Sequence, residues 1–256
     1  MRLRAVWFVA FAVASCCGGA QAMDTRTAVL AAMTEQYGRY DAEARAWKHR
    51  IAGEPYVYMM RVREARKLAV PGAERLYIVA SGDMEKPDEV PRAASGLAGL
   101  FVYEQHAGKV RFVAGIKDLR VGDGGRAAFD ARLTQFGPDH YYGWIVGLGS
   151  IGQGWSIERQ LVLAPHGRAV DTLAALRKSI DSEGVFPCHD PGLKEKCMSL
   201  KYALTVDTSK AAEHVFPLIL EKSGVQDGRT IVPETFHIPF DEKTWRYLTP
   251  RAVQPE

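Results

Sequence analysis

The sequence has few cysteines, no long apolar run and no block of like charge, and each shortage narrows what the protein can be. Its 256 residues hold four cysteines, too few for a scaffold that depends on several disulfides. Cys16 and Cys17 lie in the N-terminal stretch, which leaves Cys188 and Cys197 for the body of the protein. In an oxidising compartment these two predict a disulfide, which would close a short loop and stabilise by roughly 2–3 kcal/mol. A metal site built on Cys188, His189, Asp190 and Cys197 is the alternative, but their spacing lacks the close C-x2-C clamp of zinc sites. No metal and no cofactor is expected.

The only sustained apolar run, Ala5 to Ala14, is about ten residues long where a membrane span needs about twenty. Arg2 and Arg4 precede it and Ala20-Gln21-Ala22 follows it. These three regions predict a signal peptide over residues 1–22, and hence a protein of the periplasm or medium. Val13-Ala14-Ser15-Cys16 offers a second outcome, acylation of Cys16 after lipoprotein processing, which would anchor the chain to the outer membrane. Membrane association is expected only in that case. Loss of a leader with two arginines brings the 33 basic residues almost level with the 30 acidic ones. No cluster of Lys and Arg is left that could neutralise a row of phosphates, so nucleic acid is not an expected partner.

Signatures of familiar chemistry are missing too. There is no H-E-x-x-H, no Walker loop and no calcium loop. The nucleophile elbow G-x-S-x-G fails at Ser150, where Leu148 replaces the first glycine, and at Ser156, where Glu158 replaces the second. Catalysis by a histidine and an acid does not need that elbow. His140 and His166, which lie near two turns of one meander, are the first candidates for it.

What is present is patterning. From Asp24 to Ile51, Val29, Met33, Tyr37, Tyr40, Ala44, Trp47 and Ile51 recur at steps of four and three, which predicts an amphipathic helix within residues 23–54, weakened at Gly38 and ended by Gly53-Glu54-Pro55. Over residues 55–250 the period becomes two. Leu76 to Ala80 is a buried run. Leu100–Glu104 and Val110–Val113 form a hairpin around His106-Ala107-Gly108, and Phe129–Thr134 alternates. Tyr202, Leu204 and Val206 share a face, Asp227-Gly228 supplies a turn, and Pro239 confines its strand to an edge. Residues 168–181 fit a helix stripe and a strand face equally. The class expected is mainly β (α+β), an antiparallel sandwich or barrel-like meander with one N-terminal helix.

One stretch points two ways. Gly147-Leu148-Gly149-Ser150-Ile151-Gly152 satisfies G-x-G-x-x-G, and Asp171 stands about twenty residues further on. Trp144 to Gln153 resembles the dinucleotide fingerprint of the D-2-hydroxyacid dehydrogenase family. That resemblance implies a nicotinamide cofactor on Gly147, Gly149 and Gly152, with Asp171 at the ribose, and it requires a helix after the glycines. The residues that follow instead alternate from Ser156 to Leu161 and predict a returning strand. On that reading His140, Tyr142, Trp144, Val146 and Leu148 share a strand face. Gly149, Gly152 and Gly154 take left-handed conformations in a long turn, and Trp155 begins the next strand. Tyr142, Trp144 and Trp155, with His140 and the rim glycines Gly149 and Gly152, then form a candidate platform for a protein or a small envelope ligand. The functional expectation is a non-catalytic binding or inhibitory envelope protein of immunity-like type. A periplasmic hydrolase acting on cell wall, peptide or sugar is the alternative, and nicotinamide-dependent oxidoreduction comes third.

Overall fold

The structure, a computed structural model, describes residues 24–106, 109–186, 188, 190, 192–210 and 212–255. The expected leader, Cys16, His189 and two residues of the 106–108 turn lie outside this range.

Helix α1 (Thr25–Tyr37) starts at Asp24, whose carboxylate accepts from the Arg26 and Thr27 amides. Such a cap contributes about 1 kcal/mol. The helix ends far short of Ile51: Gly38 takes φ +84° and donates to the Thr34 carbonyl. The chain then forms a small hairpin, β1 (Tyr40–Asp41) and β2 (Ala46–His49), with Tyr40 opposite Trp47. Residues seven apart meet on a helix and can equally meet across a hairpin, which is why the apolar stripe read as helical.

Strands β3 (Tyr58–Val70), β4 (Ala73–Met84), β5 (Gly96–His106) and β6 (Lys109–Val121) form an antiparallel meander that carries β1 and β2 at its edge. A second meander follows: β7 (Asp130–Gly137), β8 (Tyr141–Gly152), β9 (Trp155–His166) and β10 (Ala169–Asp181). It continues into β11 (Ser199–Val206), β12 (Leu218–Gln226), β13 (Arg229–Thr230) and β14 (Glu234–Ile238), while β15 (Phe240–Asp241) and β16 (Arg246–Tyr247) pair separately. The two meanders meet edge to edge at one parallel pair, Gly115 with Ala169. The protein is thus mainly β with one N-terminal helix.

Three dry interiors hold these layers together. Helix α1 lays Met33 and Tyr37 on Tyr58, Met60, Ile78 and Phe101 of the first meander. The opposite face of that meander, with Tyr77, Val79, Leu100 and Val102, stacks on Trp144, Val146, Leu148 and Leu163 of the second, as in a sandwich. On its far side the second meander packs Ile145, Val162 and Leu176 against Leu200, Tyr202, Leu218, Leu220 and Ile238. The sheet curls over this third interior without closing into a barrel. β7 and β14 stay unpaired with each other, and Phe216 N–H donating to the Phe136 carbonyl at 2.7 Å links the β7 end to the chain entering β12.

Segment 168–181 is strand from Ala169 onward, with register shifts at Thr172/Ala174 and Arg177/Ser179. A bulge inserts one residue and shifts the inward face, so Leu173 and Leu176, three apart, both enter the third interior. That spacing is what imitated a helix. Pro239 follows β14, whose sole neighbour among the described residues is β12, and so sits at the sheet edge as expected.

Candidate functional site

The glycine-rich stretch lies on β8 and runs straight into a hairpin. Gly149 pairs with Glu158 and Gly152 with Trp155. Both are strand residues outside the left-handed region, contrary to expectation. The turn is Gln153 (φ 52°) and Gly154 (φ 80°), the two successive left-handed residues of a tight hairpin that matches strand twist. Trp155 opens β9, which is paired on both sides, so no helix follows the glycines. Asp171 stands on β10 beside His166, at 3.1 Å from its Nδ1.

The glycines leave room above the strand. A Cβ at Gly147 would overlap the Asp130 carboxylate and come within 2.9 Å of Lys178 Nζ. With hydrogen there instead, the ammonium of Lys178 lies 3.5 Å from Asp130 and 3.3 Å from Glu158. Around this group opens a polar cleft of about 510 Å³, lined by Arg92, Asp123, Asp130, Ser150, Ser156, Glu158 and Lys178, with Gly147 and Gly149 as its floor. Gln160, opposite Gly147, closes the cleft from the third interior: its buried amide donates to the carbonyls of Arg177 at 3.1 Å and Tyr202 at 3.3 Å.

Glu158 is also the wall of a second cavity. This groove, about 400 Å³, is lined by Trp155, Ile157, Ile180, Met198, Arg177 and Pro255. Ile157 is 46% exposed, and Trp155 meets the edge of Phe186 at 6.5 Å. The loop bearing Phe186 is tied down by the Cys188–Cys197 disulfide, Cα atoms 5.7 Å apart. The two hollows therefore share Glu158, whose side chain lies on the Gly147–Gly149 face of the sheet, while Trp155 and Ile157 alternate to the other face.

The expected aromatic platform does not assemble. Trp144 is 1% exposed, inside the interior between the meanders, where it and Tyr142 both pack on Tyr77 at 5.8 Å. Tyr142 donates to Gln135 at 3.2 Å. Trp155 lies eight residues along the ladder from the Trp144 pairing, about 27 Å at strand rise. Both belong to the same strand face, but the interior covers one and solvent reaches the other.

His140 occupies the β7–β8 turn at φ 53° rather than the strand. It is at the same end of the meander as His166, as expected. There His166, bonded to Asp171, stacks on Trp245 with ring centroids 4.7 Å apart and planes 17° apart. Trp245, at φ 54°, also contacts Tyr141, His214 and Phe240. Tyr141 donates to the Pro165 carbonyl at 2.9 Å, and burial pushes its phenol up to about 12 despite the indole N–H of Trp245 nearby. No hydroxyl or thiol is hydrogen-bonded to His166 among the described residues. No group of three or more His, Cys, Asp and Glu fit to hold a metal occurs among them either.

No protein-family model matches the chain, and neither a curated protein nor a solved structure matches it.

Proposed function

We propose that the chain is an exported envelope protein that works by binding a protein partner at the β8–β9 hairpin. Export is supported by the three-region N-terminus with Arg2, Arg4 and Ala20-Gln21-Ala22. The observation that carries the binding reading is the adjacency of the two cavities through Glu158. An apolar centre next to a charged rim is how protein interfaces are composed, with few aromatic and aliphatic anchors dominating affinity. A partner that grips the hairpin from both faces would seat an apolar side chain on Trp155 and Ile157 and a polar one against Asp130, Lys178 and Glu158.

The test is capture of a single stoichiometric partner from periplasmic extract by the mature protein. Trp155→Ala and Ile157→Asp should each weaken capture about thirtyfold or more while leaving the circular dichroism spectrum native. Capture unchanged in both variants removes the groove from the interface. A second reading, a hydrolase, is favoured by the His166–Asp171 pair, the arrangement of a base and its orienting acid. It predicts turnover of an ester or cell-wall substrate that His166→Ala abolishes.

A further inference from the structure

On the other side of the molecule, away from the hairpin, α1, the β1–β2 hairpin and β3 enclose a groove of about 450 Å³. Its floor is Val29, Leu30, Tyr40, Trp47 and Val62, and its rim is Arg26, Arg45 and Arg61. Leu30 is 47% and Tyr40 37% exposed. The Tyr40 and Trp47 rings lie 4.7 Å apart, and the indole N–H donates to Thr34 Oγ1 at 3.3 Å, which fixes the aromatic wall against the helix.

None of the three rim arginines forms an ion pair among the described residues, unlike Arg66, Arg111, Arg120 and Arg126. Two of the neighbouring carboxylates have other partners. Asp24 accepts from the first amides of α1, and Asp41 holds Lys48 at 3.2 Å and the Glu43 and Ala44 amides. Arg61 donates to the carbonyls of Met59 and Ala44 at 3.3 Å, which uses two of its guanidinium N–H groups. Three arginines thus rim an apolar, aromatic floor; Asp24 attracts Arg26 at a distance, and Glu43 stands two residues from Arg45 in the hairpin turn.

We propose that this face docks on a membrane whose surface carries anionic phospholipid, with Arg26, Arg45 and Arg61 on the headgroup phosphates and Leu30, Tyr40 and Trp47 at the level of the acyl boundary. Guanidinium groups pair bidentately with phosphate. Tyr and Trp favour the membrane–water interface, and each basic residue near an anionic surface adds affinity.

The experiment uses the exported chain carrying Cys16→Ser, so that no acyl group contributes, and measures co-sedimentation with vesicles of phosphatidylcholine alone or mixed with phosphatidylglycerol. Binding is expected only to the anionic vesicles and should fall as salt rises. The variant Arg26→Gln/Arg45→Gln/Arg61→Gln should lose on the order of a hundredfold in affinity. Arg61 also bridges two backbone carbonyls, so Arg26→Gln/Arg45→Gln is the control that keeps the fold intact, with a loss of about thirtyfold. Equal sedimentation with both vesicle types, no sedimentation with either, or undiminished binding by the natively folded double variant would overturn the proposal. Trp155→Ala should bind vesicles as the parent does, which separates this surface from the partner groove.

Discussion

Gly147 stands directly opposite Gln160 on the neighbouring strand, and between them they divide the dry third interior from the polar cleft. What Gly147 tolerates differs from what Gly143 tolerates four residues earlier. A Cβ at Gly147 meets the ends of Asp130 and Lys178, which can swing away; a Cβ at Gly143 meets the Leu163 carbonyl and lies 2.6 Å from the Ala164 Cβ, in backbone that cannot. Gly143→Ala should therefore cost about 1–3 kcal/mol in urea unfolding. Gly147→Ala should cost under about 1 kcal/mol, because the lower entropy of the unfolded chain offsets the rearrangement. The same substitution should still impair capture of the partner, since it displaces the Lys178 bridge.

The alternating residues from Ser156 to Leu161 were legible as a strand from their period of two, although the faces are not simply dry and wet: Ile157 is exposed, Gln160 is buried, and residues 162–164 are buried on both faces. The extent of the helix was not. Tyr40 and Trp47 carry helical spacing yet meet across a two-strand hairpin, and only the left-handed Gly38 separates the two outcomes. The platform failed for a related reason: Trp144 and Trp155 lie on one strand face, and periodicity does not tell where along that face a second sheet stops covering it. The cleft was invisible because Arg92, Asp130, Glu158 and Lys178 come from four separate stretches with no shared local pattern. Trp245 was likewise missed, being a single aromatic residue in a polar turn.

Alkaline pH should destabilise the fold through buried phenols. Burial raises Tyr37, Tyr103 and Tyr247 above the ordinary value of 10.0 and pushes Tyr141 up to about 12. Below pH 10 these groups are protonated in folded and unfolded chains alike and give no slope. As pH rises from about 10 toward 12 the unfolded chain releases protons that the folded one keeps, so stability falls, by up to about 1.4 kcal/mol per pH unit for each phenol. Ultraviolet titration should show these four tyrosines ionising only with unfolding. Titration of all ten near pH 10 in a chain with native circular dichroism would contradict this.

Trp245 fastens the last two short strands to the end of the second meander. It stacks on His166 and touches Phe240 and Tyr141. Replacing it with alanine removes a large aromatic contact and should cost about 3 kcal/mol. The loss should appear as faster amide exchange in residues 240–247, while α1 and the first meander, which share no interior with Trp245, keep their protection. Uniformly faster exchange throughout the chain would mean that the halves unfold as one unit.

The disulfide should matter locally as well as globally. It closes a loop of sequence separation 9, for which chain entropy gives about 2–3 kcal/mol. That corresponds to a fall of roughly 5–10 °C in Tm for a chain of this size. The loop it closes is also held by Ser182, whose N–H donates to the Met198 carbonyl at 2.9 Å, and by close contact between Gly184 and Gly154. Those contacts fix the base of the loop, while Phe186 lies on the side toward Cys188. The Cys188→Ser/Cys197→Ser variant, assayed well below its own Tm, should keep the β8–β9 ladder yet let Phe186 move away from Trp155. Partner capture should weaken more than the remaining folded fraction explains. If capture instead falls only in proportion to unfolding, the disulfide is a staple for the fold and the groove holds its shape without it.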